Sequence, residues 1–192
     1  MDGQHAFHPN YGVMEMNNVE KMDGNLSGDV NVRNETAVRL VVDGIMCFNQ
    51  AAEFMDLPEE TFELVREEIV KRILSAIKPE DCKVNRSLED VAEEYAKVLR
   101  ARDDIREMIQ EGIRGKTEPY AEGYAQGFPI GYAIGYIDET IRNITLIVLS
   151  GHLNLEKAIE LVDIPETCLD YIRPMVCNRL CGAYMVKESA CA

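Results

Sequence analysis

Apolar residues in this chain recur at spacings of three and four and nowhere alternate singly, the pattern of helices packed along one face rather than of strands. Phe62, Val65, Ile69 and Ile73 fall on one face of a helix that proline opens at Pro58 and that runs about 20 residues to Pro79. Leu88, Val91, Tyr95, Val98, Ile105 and Ile109 keep the same rhythm, with Arg102 in the one slot where an apolar residue is expected. Ser87-Leu88-Glu89-Asp90 resembles a capping box ahead of them, so one long amphipathic helix is predicted over 86–115, ending near Gly112 to Gly115. Residues 1–33 are rich in Asn, Asp, Gly and Met and show no periodicity, as in a disordered acidic tail; His5 and His8 lie there. The expected fold class is all-α.

An internal repeat organises the rest. Residues 39–76 and 146–183 align without a gap at an offset of 107, with identities that include Gly44/Gly151, Asp56/Asp163, Pro58/Pro165, Arg66/Arg173 and Arg72/Arg179. Each copy parses as three helices. The first ends at Gly44 or Gly151, since glycine takes the left-handed conformation at little cost. A short second helix follows, capped in the later copy by Asn154. An Asp-Leu-Pro-Glu or Asp-Ile-Pro-Glu turn then leads into the third, which Pro174 is expected to kink or split in the later copy. The chain thus divides into a helical unit A at 34–79, the amphipathic helix at 86–115, a further helix at 117–137 and a helical unit B at 138–188.

The 117–137 segment has its own signature. Gly123, Gly127, Gly131 and Gly135 recur every four residues, each followed by a ring: Tyr124, Phe128, Tyr132 and Tyr136. On a helix the glycines form a shallow groove beside a ridge of rings. Each interior glycine costs close to 1 kcal/mol and Pro129 adds more, so the helix needs compensating packing. It is expected to pack on the 86–115 helix or to self-associate through Tyr124, Phe128, Tyr132 and Tyr136. Base stacking on these rings lacks its electrostatic half, because the segment holds no Lys or Arg.

The Gly-x-x-x-Gly run from Gly123 to Gly135, followed by ITLIVLSGHLNLEKAIELVDIPETCLDYI, resembles the C-terminal tail of recombination-promoting nuclease (Rpn, transposase-like) proteins. The likeness covers about 60 residues, within 120–183. It implies kinship of a helix-turn-helix-like module and a phage or mobile-element ancestry. That family's strand-rich PD-(D/E)xK nuclease core has no counterpart here; Asp81-Cys82-Lys83 is the one D-x-K triplet in reach and lacks a strand pattern.

Composition sharpens the functional expectation. The net charge is −14, concentrated in the first 70 residues, which hold 14 acidic and 4 basic side chains. Such a chain repels nucleic acid and anionic lipid and attracts basic protein surfaces. A helix-turn-helix reads DNA with the start of its last helix. Here those positions carry Glu59, Glu60 and Glu63 in one copy and Glu166 and Asp170 in the other. With Glu67 and Glu68 they are the candidate contacts to a basic partner. The bases between 71 and 116 alternate with acids, as on a solvated face. No apolar run approaches the roughly 18 residues of a membrane span and the N-terminus has no signal pattern, so a cytoplasmic protein without structural disulfides is expected. Cys47, Cys82, Cys168, Cys177, Cys181 and Cys191 include no C-x-x-C pair and are expected to serve as packing thiols. Cys177 and Cys181 share a helix face. No catalytic fingerprint is present, and neither metal nor cofactor is expected.

The expected function is therefore that of a non-enzymatic binding protein. In concrete form it is a phage or mobile-element inhibitor that lays acidic helices into the basic groove of a nucleic-acid-processing enzyme such as a CRISPR nuclease. A helix-turn-helix DNA regulator and a homo-oligomeric assembly module are the alternatives.

Overall fold

The computed structural model describes residues 30–190, so the tail as far as residue 29, with His5 and His8, and Cys191 lie outside the described residues. Among the described residues the fold is all-helical and contains no strand. Eight α-helices follow in order: α1 (Val30–Val42), α2 (Phe48–Phe54), α3 (Phe62–Ala76), α4 (Leu88–Leu99), α5 (Asp103–Ile113), α6 (Glu118–Leu149), α7 (Leu155–Glu160) and α8 (Leu169–Ala190). Three 3-10 turns intervene, at Glu59–Thr61, Pro79–Cys82 and Glu166–Cys168.

α6 is the spine. Its N-terminal part lies against α4 and α5, its C-terminal part against α7 and α8, while α1 packs on α2 and α3. One continuous apolar core joins them, with Phe48, Ile69, Leu99, Ile105, Ile137, Ile144, Ile172 and Leu180 fully enclosed. The apolar face expected on α3 is present: Val65, Ile69 and Ile73 are buried and Phe62 packs beside them.

Several sequence-based boundaries move. The 86–115 helix is two helices, because Arg102 takes extended backbone and starts α5 with Asp103 and Asp104 in its first turn, where the helix dipole favours acids. Leu99, not Val98, closes the buried face of α4, and Val98 is left exposed. The 117–137 helix does not end at its predicted boundary. Ile137, Ile141, Ile144 and Val148 stay buried at helical spacing, and this packing carries α6 to Leu149 through Pro129. α8 likewise runs unsplit through Pro174, with Ile172, Val176 and Leu180 buried on both sides of it. Finally, Pro58 and Pro165 precede 3-10 turns, so the helices themselves open at Phe62 and Leu169; α1 in turn starts at Val30, inside the segment read as tail.

Both stretches of the proposed repeat show a helix ended by a glycine in the left-handed region (Gly44 φ 71°, Gly151 φ 69°), then a short helix, a proline-led 3-10 turn and a longer helix. In each, an arginine ties the longer helix to the one before the glycine: Arg72 to Glu35, and Arg179 to Asp138. The two glycine turns interlock. Asn154 accepts from the Lys157 N–H at 2.9 Å, capping α7, while its Nδ2 donates to the Val42 carbonyl at 3.0 Å and so caps the end of α1. The Phe48 N–H donates to the His152 carbonyl at 2.9 Å. Burial, with Arg66 nearby, holds the His152 imidazole below its ordinary value of 6.5.

The Arg72–Glu35 contact is bidentate, at 2.6 and 3.0 Å, and with Arg39 it pulls the Glu35 carboxyl from 4.5 to about 2. A depressed carboxyl adds stability above its unfolded value and loses it as pH falls toward the folded one. Unfolding midpoints in urea should therefore decline between pH 4.5 and about 2. Replacing Arg72 with Met should flatten that decline; an unchanged acid limb would show that the pair does not link α1 to α3.

Candidate functional site

The acids singled out in the sequence separate into two groups. Glu59 and Glu60 occupy the 3-10 turn that leads into α3, and Glu63 sits in its first turn. All three are exposed, and their side chains make no ion pair among the described residues. Glu67 is exposed one helical turn further on. Arg66 is the one base in this run, and it turns inward, its guanidinium 4.3 Å from the centre of the Phe48 ring. The result is an exposed acidic face at Glu59, Glu60 and Glu63 with no ion pair of its own among the described residues, and Leu64, 63% exposed, lies beside it.

Of the remaining acids, Glu68 and Asp170 are tied up within the chain. Glu68 accepts from Arg72 at 2.9 Å and lies 3.9 Å from Lys71. Asp170 lies 3.2 Å from Arg86, which also binds Glu94 at 2.6 Å and the Thr167 carbonyl at 2.9 Å. Arg86 thereby clamps the approach to α4 onto the start of α8. Glu166, in its own 3-10 turn, is exposed. Helical position predicts exposure at all seven acids; it gives no warning of distant partners such as Arg86.

The Gly-aromatic segment presents two different faces. Of its rings, Tyr124, Phe128 and Tyr136 are half-buried, while Tyr120 and Tyr132 are exposed. A Cβ on Gly112 of α5 would sit 2.5 Å from the Tyr124 ring, so that glycine is what admits the ring. Tyr120, Tyr124 and Phe128 stack in sequence with centroids 6.0 and 5.3 Å apart, and Tyr132 follows at 6.1 Å, partly exposed. Tyr136 meets Tyr95 of α4 at 5.8 Å and donates to the Asp163 carbonyl at 3.3 Å; burial pushes the Tyr95 hydroxyl up to about 12. Tyr124, Phe128 and Tyr136, put forward for self-association, are thus largely engaged within the chain. Gly123, Gly127, Gly131 and Gly135 are exposed, and a Cβ at any of them would meet nothing within 4 Å.

Elsewhere, a cavity of about 270 Å³ opens between α3, α7 and α8, lined among others by Ile73, Asp81, Asn154, Glu156, Arg173 and Cys177. Arg173 and Glu156 close on each other in an ion pair across its wall. His152 lies against the Phe48 ring, centroids 6.2 Å apart, as a packing residue of the interlocked turns. Among the described residues no group of three or more His, Cys, Asp or Glu is placed to hold a metal ion, and no helix is long and apolar enough to cross a membrane. No protein-family model, curated protein or solved structure matches the chain.

Proposed function

We propose that this is a non-enzymatic binding protein that docks the acidic face of the α3 entrance, Glu59, Glu60, Glu63 and Glu67, against a basic protein surface. The observation that carries this is that Glu59, Glu60 and Glu63 make no ion pair among the described residues. The run's one arginine is spent on Phe48, while Glu59, Glu60 and Glu63 stand in solvent. Carboxylates at a helix N-terminus gain from its dipole, so the charge is tolerated by the fold and remains available outside it. The exposed Leu64 gives such a docked partner an apolar centre inside a charged ring. A phosphate backbone would be repelled by the same face, which disfavours DNA as the ligand. A basic groove that normally holds nucleic acid has the complementary charge. The inhibitor form of the function is proposed on that basis, and kinship with the Rpn tail is proposed separately from the sequence of residues 120–183.

The test is capture of binding proteins from the native host by the full chain, at low and at about half-molar salt, where screening confines charge attraction to a few ångströms. The partner should be released at high salt. Its affinity should fall about tenfold or more when Glu60 and Glu63 are both replaced by Lys, with the circular dichroism spectrum unchanged. Capture insensitive to salt and to these substitutions, or retention of duplex DNA in a low-salt gel shift, would overturn it.

A further inference from the structure

Two thiols distant in sequence meet at the surface. The 3-10 turn Pro79–Cys82 lies along α8, where Asn178 Nδ2 donates to the Cys82 carbonyl at 2.8 Å and fixes that backbone to the helix. One turn further along α8, the Cys181 sulfur stands 3.9 Å from the Cys82 sulfur. Both cysteines are partly exposed, whereas Cys168 and Cys177 are buried. Gly182, next to Cys181, leaves open space on its outer side.

From this geometry we propose that Cys82 and Cys181 form a reversible disulfide, a redox modification site that staples the α3–α4 connection to α8. The sulfurs are in van der Waals contact, and a disulfide bond of about 2 Å requires them to close by roughly a further 2 Å. Glutathione disulfide is a sufficient oxidant. The Cys181 thiolate attacks one of its sulfurs, a protein–glutathione disulfide forms, and glutathione thiolate leaves. The Cys82 thiolate then attacks the Cys181 sulfur and expels the second glutathione. The protein pair gives up two electrons and two protons, and both end on the two reduced glutathione molecules. Burial pushes the Cys82 thiol up, which makes it a slow first attacker. Cys177, the third thiol of the neighbourhood, is buried, and burial pushes it up to about 11, which disfavours it as an attacker.

The staple would join positions 99 residues apart, a separation at which cross-linking restricts the unfolded chain strongly. It would also fix one side of the cavity that Asp81 and Cys177 line.

The test uses the full chain incubated with glutathione disulfide, then alkylated, digested without reductant and mapped by mass spectrometry. A peptide pair joined through Cys82 and Cys181 is expected, with a melting temperature raised by about 10 °C. Dithiothreitol should reverse both changes. Cys177→Ser should keep the link and Cys181→Ser should abolish it. Recovery of Cys82 and Cys181 as alkylated thiols, or a link from Cys82 to Cys177 or Cys191 instead, would overturn the assignment. The wild-type map decides this even where a variant folds poorly.

Discussion

Replacing Gly151 with Ala should cost the fold about 3 kcal/mol and lower its melting temperature by roughly 10 °C. Two effects add at this position. The backbone is left-handed, at φ 69°, where a side chain is strained by about 1–2 kcal/mol. The new Cβ would also stand 2.8 Å from the Arg66 carbonyl oxygen and 3.0 Å from its Cα, atoms held in the middle of α3. Neither can retreat without moving the helix. Gly115 supplies the control, since it has φ 70° but open space around the site of a Cβ. Gly115→Ala should therefore lose only the conformational part, about 1 kcal/mol. Denaturant titration of both variants checks the pair. Equal losses would show that the close approach of the α6–α7 turn to α3 does not constrain the fold.

Substituting Ala at Gly123, Gly127, Gly131 and Gly135 together should act in the opposite direction and stabilise the chain by roughly 2–4 kcal/mol. All four lie inside α6, with nothing within 4 Å of the added methyl groups. Alanine then gains about 0.5–1 kcal/mol at each by restricting the unfolded chain and favouring helix. Thermal melts at several protein concentrations, paired with light scattering, provide the measurement. A loss of stability that grows with concentration would mean that a second copy covers the glycine face in solution.

The helical class and the buried face of α3 were legible because spacing alone determines which residues share a side of a helix. The turns at Gly44 and Gly151 were legible because few residues other than glycine accept the left-handed backbone found there. The break between α4 and α5 was marked by Arg102 and by the acidic pair that follows, but the apolar rhythm resumed beyond it at Ile105 and Ile109 and outweighed those signals. The true extent of α6 was also written in the chain. Ile137, Ile141, Ile144 and Val148 continue the helical spacing beyond the last glycine, past a boundary drawn where the composition changes. The acidic face could be placed from helix position alone. The inward turn of Arg66, the Arg86 clamp and the meeting of Cys82 with Cys181 could not, because each depends on chain segments whose approach no local pattern encodes.

The uninterrupted α6 also decides how the molecule can be dissected. Its 32 residues form a rod about 48 Å long, and both the α4–α5 side and the α7–α8 side rest on it. A truncation at the change of composition near residue 137 would saw through this beam and strip the cover from whichever apolar surface was kept. Deletion mapping of a binding partner would then report collapse of the scaffold in place of loss of contact, so single substitutions on the intact chain are the informative tools.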